Sequence, residues 1–151
     1  NTCFFQESAI VTPGKNPMFF KTKWGNIGIG ICYDLRFPNL SKFYRDNDCF
    51  LICYPAAFTV PTGKQHWEVL NRSQALNNQL FVVSCSPARD KKQSYQSYGH
   101  SIIVDPWSRI LHQMDQNEGF HVEKLDLDSM KNIRKFIPIL QHEKTGLQIS
   151  C

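Results

Sequence analysis

The sequence predicts an α/β fold: a mixed sheet with helices on at least one face. Three observations carry that prediction. Short apolar runs bounded by turn residues recur as "NIGIGIC", "CFLICYP" and "LFVVSCS", each of a length that suits a buried strand. Two segments with helical spacing separate these runs. A long polar stretch then leads into alternating segments that read as antiparallel strands.

In chain order, "NIGIGIC" alternates apolar residues with glycine, and Gly28 and Gly30 let another backbone or a helix approach closely. After Cys32, the residues Leu40, Phe43 and Tyr44 recur at helical spacing, with Pro38 tolerated in a first turn. The local order is therefore strand, cysteine, helix. "CFLICYP" is nearly continuous in apolar residues, as in a sheet buried on both faces, and the loop "AAFTVPTG" follows with Pro61 and Gly63 as breakers. A second helix is expected from Lys64 to about Gln79, with Trp67, Leu70, Gln74 and the pair Leu76 and Leu80 on one side. "LFVVSCS" is the next strand, and "PARDKKQSYQSYG" is a long surface loop. "HSIIVD", "RILHQM" and "FHVEKLDL" read as a strand meander with turns at Asp105 to Ser108 and near Asn117 to Gly119. "DSMKNIRKF" is a short helix with Asp128 as its cap, ended by Pro138.

A chain of 151 residues that is 42% hydrophobic and 13% aromatic has the composition of one globular domain with a core, which excludes disorder. The net charge is +4, with lysines and arginines scattered and no run longer than Lys91 and Lys92. Such a surface lacks the clustered basic stripe of a nucleic-acid binder. No apolar stretch is long enough to span a bilayer, so neither nucleic acid nor membrane is an expected partner. Six irregularly spaced cysteines, three of them inside apolar runs, favour reduced thiols over a disulfide framework. The expected location is the cytoplasm, with the mitochondrion as the alternative. The chain starts at Asn1 in mid-pattern, without a start signal or cap, and so reads as part of a longer protein.

Cys49 and Cys53 stand four apart with His66 downstream, but they fall in a predicted strand, where that spacing puts both thiols on one buried face. Packing is favoured and no metal is expected. "GNIGIG" keeps its glycines inside the strand rather than in the turn after it, so it is no dinucleotide fingerprint. Cys32 is different, because a thiol between a strand and a helix start meets free backbone amides that favour a thiolate and can later hold an oxyanion. The amide of Tyr33 is the natural first donor. Position alone leaves both readings open, a packing residue and a nucleophile.

The motif "GIGICYDLRFP" closely resembles the nucleophile motif of the nitrilase superfamily of carbon-nitrogen hydrolases. The resemblance runs on through "YPAAFTVPTGKQHWEVLNRSQALNNQ", and "SPARD", "YGHSIIVDPW" and "IRKFIP" are most similar to its omega-amidase branch. It implies an α-β-β-α sandwich, with residues 1–151 as the C-terminal part of a single domain. It also implies that Cys32 attacks an amide carbon, while a glutamate base and an oxyanion-binding lysine lie upstream of the cysteine motif. Glu7 in "FFQES" matches a second family glutamate that sits near the cysteine. Arg36 follows the family pattern of an arginine near the substrate, where it could grip a carboxylate in a forked way, the bland alternative being a structural pair with Asp34. Phe58 is implied as an apolar wall of the substrate site and Thr62 as a polar contact, whereas His66, Trp67 and His100 are structural positions.

The implied substrate is a small amide of a dicarboxylic acid, with no cofactor and a homodimeric assembly. A deaminated glutathione amidase with a larger substrate is the second reading. A truncated chain that acts only as an interaction partner is the third, and a redox or metal protein the fourth. Two positions depart from the family pattern, Asn77 where an acid is common and Ser108 where glycine is common.

Overall fold

In the computed structural model, which describes residues 9–144, the six strands follow sequence order across one sheet. They are β1 (Met18–Thr22), β2 (Gly25–Ile29), β3 (Cys49–Pro55), β4 (Phe81–Cys85), β5 (Ile102–Val104) and β6 (Ile110–Gln113). The central pairs β2·β3 and β3·β4 are parallel and the outer pairs antiparallel, as a mixed sheet requires. Parallel neighbours need crossovers, and helices supply both. Helix α1 (Pro38–Asp46) links β2 to β3, and one continuous helical segment links β3 to β4. That segment comprises α2 (Val60–Thr62), a π-helical turn (Gly63–Trp67) and α3 (Glu68–Asn78). Two further helices close the described chain, α4 (Leu127–Phe136) and α5 (Ile139–His142).

Helices α1 and α3 cover one face of the sheet, burying Leu35, Tyr44, Ile52, Tyr54, Trp67 and Val82. The two strand glycines make this approach possible. A Cβ on Gly28 would lie 2.5 Å from the Tyr44 ring, and one on Gly30 would lie 2.4 Å from the Tyr54 ring. The hydroxyls of both tyrosines are satisfied inside, Tyr44 donating to the Ile29 carbonyl and Tyr54 sharing a 2.8 Å hydrogen bond with Ser41. The second face carries Phe50, Leu51, Phe81 and Met130, with Leu125 and Leu127 packed against them.

Five expectations change. Cys49 and Cys53 do not share a face: Asn26 pairs with Cys49 and Ile27 with Leu51, so Phe50 is an extra residue in β3, a β-bulge. The bulge sends Cys49 into the core beneath α1 and Cys53 to the opposite side. Burial, and then the Asp48 charge, push the Cys49 thiol up to about 11, as suits an inert packing residue. The second helical segment starts at Val60 rather than Lys64, and its buried residues are Trp67, Asn71, Gln74, Ala75 and Asn78, while Leu76 faces out. Those amides are satisfied: Asn71 donates to the Trp67 carbonyl at 2.8 Å and Asn78 to the Gln74 carbonyl at 2.9 Å.

"FHVEKLDL" forms no strand, and Phe120 and Val122 are exposed, since nothing beyond β6 pairs with the segment among the described residues. The cap of α4 is Asp126 rather than Asp128, its carboxylate accepting the amides of Asp128 at 3.0 Å and Ser129 at 3.1 Å. Strand β1 has no counterpart in the sequence reading, because "MFFKT" is a mostly exposed edge strand without a buried run. Ser108 does occupy a backbone conformation that favours glycine, with φ +66°, and Arg72 braces it by donating to its carbonyl at 3.0 Å.

Candidate active site

Strand β2 ends where the chain must turn sharply, and the turn begins at Cys32, whose φ is +49°. A non-glycine residue in the left-handed region costs roughly 1–2 kcal/mol, so the surroundings must hold it there. They do so bond by bond. Gly30 prolongs the parallel pairing by donating to the Cys53 carbonyl at 3.1 Å, and the Ile31 amide is taken by the Asp34 carboxylate at 2.9 Å. The segment Cys32–Arg36 is a 3-10 turn, and its buried Leu35 carbonyl accepts from Gln74 of α3 at 3.0 Å. The regular helix starts only at Pro38, which corrects the expectation of a helix opening directly at the cysteine. What faces Cys32 is therefore the first amides of a short turn rather than the dipole of α1. Among the described residues no acceptor takes the Tyr33 amide, as expected for a first-turn N–H.

The thiol of Cys32 is half-buried and lies 4.0 Å from the Ala57 carbonyl oxygen, in the loop after β3. The same carbonyl accepts the Tyr95 hydroxyl at 2.5 Å, so the long loop of residues 86–101 reaches over to the cysteine. Burial, and next the neighbouring Cys32, push the Tyr95 phenol up. Tyr95 was not anticipated, because a tyrosine in a polar loop carries no periodic signal. Gln74 was anticipated only as part of a helix face; its bond to the cysteine turn needs the fold to be seen.

Of the anticipated residues, the structure brings Tyr33, Arg36 and Phe58 together beside the cysteine turn. Arg36 is not paired with Asp34, whose carboxylate is used at Ile31. Its guanidinium lies 5.5 Å from the Tyr33 ring centroid and 5.0 Å from that of Phe58, and it donates to His66 Nδ1 at 3.2 Å. Phe58 is buried and meets Trp67 edge-on, centroids 5.2 Å apart. Thr62 is spent within its own turn, its hydroxyl 2.8 Å from that of Thr59 and 3.2 Å from the Thr59 carbonyl. Glu7 lies outside the described residues. Among the described residues no cluster of histidine, cysteine, aspartate and glutamate could hold a metal ion, and no helix is long and apolar enough to cross a membrane.

A thiol at a strained elbow, an amide beside it with no acceptor among the described residues and a cation set against two aromatic rings form an arrangement that can attack and anchor an acyl compound. The chain is similar to omega-amidase NIT2 of Mus musculus, 43% identical over 143 residues, which is 95% of this chain and 52% of that protein. The human omega-amidase NIT2 is 41% identical over the same span. Among solved structures, Saccharomyces cerevisiae Nit3, a member of branch 10 of the nitrilase superfamily, superposes with a TM-score of 0.86 at 41% identity, covering 88% of this chain and 49% of that one. The chain thus spans about half the length of the curated relatives it matches. The carbon-nitrogen hydrolase family pattern extends over residues 4–135, from before the first strand into the last turn of α4, and the chain belongs to that family.

Proposed function

We propose that this chain carries the nucleophile and the acid-recognising wall of an omega-amidase-like thiol hydrolase. Its substrates would be monoamides of short dicarboxylic acids, such as 2-oxoglutaramate and succinamate. The observation that carries the reading is Cys32, held at φ +49° with the Tyr33 amide directly after it, which no acceptor takes among the described residues. The similarity to proteins named omega-amidase supports the substrate class.

In this reading the Cys32 thiol gives its proton to the family's upstream glutamate, and sulfur bonds to the amide carbon while the carbonyl electrons move to oxygen. The Tyr33 N–H donates to that oxyanion together with the family's upstream lysine. Collapse breaks the carbon–nitrogen bond, nitrogen takes the proton from the glutamic acid, and ammonia leaves a Cys32 thioester. Water then gives a proton to the glutamate, attacks the thioester carbon and releases the acid and the thiolate. Arg36 grips the distal carboxylate of the substrate, and Phe58 packs against its methylene chain. Glu7 is read as helping to position the lysine. The protein acts as a cytoplasmic homodimer without a cofactor. Residues 1–151 by themselves are expected to be inactive, for lack of the glutamate and lysine.

The test is ammonia release from succinamate and 2-oxoglutaramate by the intact protein that carries this chain. Release that vanishes in Cys32→Ala, with a thioester-mass adduct in the wild type, supports the reading. Turnover that survives Cys32→Ala, or turnover of neither substrate, overturns it. Faster turnover of deaminated glutathione would move the assignment to the neighbouring branch.

A further inference from the structure

We propose that His66 is a positioning residue that aims Arg36 at the substrate carboxylate while leaving the arginine's charge unspent, an inference that rests on the amidase reading above. Arginine can only donate, so the 3.2 Å contact makes His66 Nδ1 the acceptor and puts the ring proton on Nε2. A neutral imidazole therefore holds one arm of the guanidinium. A carboxylate in the same place would hold it too, and would also neutralise it. The nearest acid in sequence, Asp34, is kept away by its bond to the Ile31 amide at 2.9 Å.

The rest of the clamp is aromatic. Tyr33 and Phe58 lie against the guanidinium at 5.5 and 5.0 Å, attracting its charge through their ring faces without occupying its remaining N–H groups. Those donors form the planar fork that matches a carboxylate. The guanidinium belongs to the same short turn as the cysteine, Cys32–Arg36.

The backbone at His66 is built for this placement. Residues Gly63–Trp67 make a π-helical turn, which inserts one extra residue and resets the facing of the side chains around it, a feature common at functional sites. Trp67 is thereby fully buried against Phe58, while His66, half-buried, faces Arg36. Gly63 permits the turn to seat: a Cβ there would lie 2.1 Å from the Tyr98 ring.

The experiment compares His66→Asn, His66→Leu and His66→Asp with wild type in the intact protein, on succinamate and on butyramide, which has a methyl in place of the carboxylate. Asn offers an oxygen near the Nδ1 position, Leu offers no acceptor, and Asp offers an acceptor that cancels the charge. Losing a hydrogen bond at a charged group is worth roughly ten-fold or more, so KM for succinamate is expected to rise on the order of ten-fold in Leu and in Asp. Asn should stay within about three-fold, kcat should hold, and butyramide should be indifferent to all three substitutions. If Asn loses as much as Leu, if Asp behaves like wild type, or if both substrates weaken in parallel, the inference is wrong. Should wild type hydrolyse neither amide, the amidase reading fails, and calorimetric titration with succinate decides this one separately. Binding kept in Asn and weakened in Leu and Asp supports it. Equal binding in all four proteins, or no binding by wild type, overturns it.

Discussion

Replacing Gly30 by alanine tests how the cysteine turn is held. The residue is buried and has no positive φ, so the cost of a methyl group there comes from contact and not from backbone strain. That methyl carbon would lie 2.4 Å from Tyr54 Cε1, 2.8 Å from Cδ1 and 3.2 Å from Asp34 Cβ. The first distance is roughly 1 Å short of an ordinary carbon–carbon contact. Tyr54 has little room to retreat, since its ring is fully buried and its hydroxyl is fixed to Ser41 at 2.8 Å. Overpacking a rigid core costs about 1–3 kcal/mol, and the fixed ring argues for the upper end.

The alternative response is a shift of the turn, and Cys32 stands two residues further on. A displacement of about 1 Å at a reacting group can lower turnover on the order of a hundred-fold. Urea unfolding of the intact protein, alongside ammonia release, reads both effects. Gly14→Ala is the control, because among the described residues nothing lies within 4 Å of a Cβ at Gly14. The double variant with Tyr54→Leu should recover at least about 1 kcal/mol relative to the sum of the single changes. If Gly30→Ala matches Gly14→Ala in both stability and turnover, the close packing of β2 on Tyr54 does not hold the cysteine turn.

Asp126→Ala should cost about 0.5–2 kcal/mol by removing the cap of α4, whereas Asp128→Ala, at the exposed first turn, should cost far less; thermal melts of the pair would expose a misplaced helix start if the order reversed. Hydrogen bonds from Lys42 and Arg45 overcome burial and hold the Glu143 carboxyl below the usual glutamate range. A carboxyl lowered in the folded state adds stability above its unfolded value and loses it as pH falls through the folded one. The docking of α5 on α1 should therefore loosen below the ordinary glutamate value of 4.5, seen as faster amide exchange in residues 139–142, and Glu143→Gln should flatten that dependence.

Much of this protein was legible in its residues. The strands β2, β3 and β4 announce themselves because strands buried on both faces read as short, nearly continuous apolar runs, and the glycines of "NIGIGIC" mark the place where Tyr44 and Tyr54 close in. The cysteine motif and its likeness to the family came from the same stretch. The features that escaped depend on partners distant in sequence. A single unpaired residue at Phe50 sent Cys49 and Cys53 to opposite faces, since side chains alternate and one insertion reverses every later one. The polar face of α3 reads poorly as helix packing, yet Asn71, Gln74 and Asn78 are buried because each finds a hydrogen-bond partner there.

The sequence by itself determined the order of elements from β2 to β6, the family and the candidate nucleophile, because each rests on local pattern or on a contiguous motif. Only the tertiary structure decided that Tyr95 reaches the carbonyl beside Cys32 and that Arg36 leans on His66 instead of Asp34. Those contacts join residues as much as 38 positions apart, and their geometry is set by the sheet and the π-helical turn rather than by any spacing along the chain.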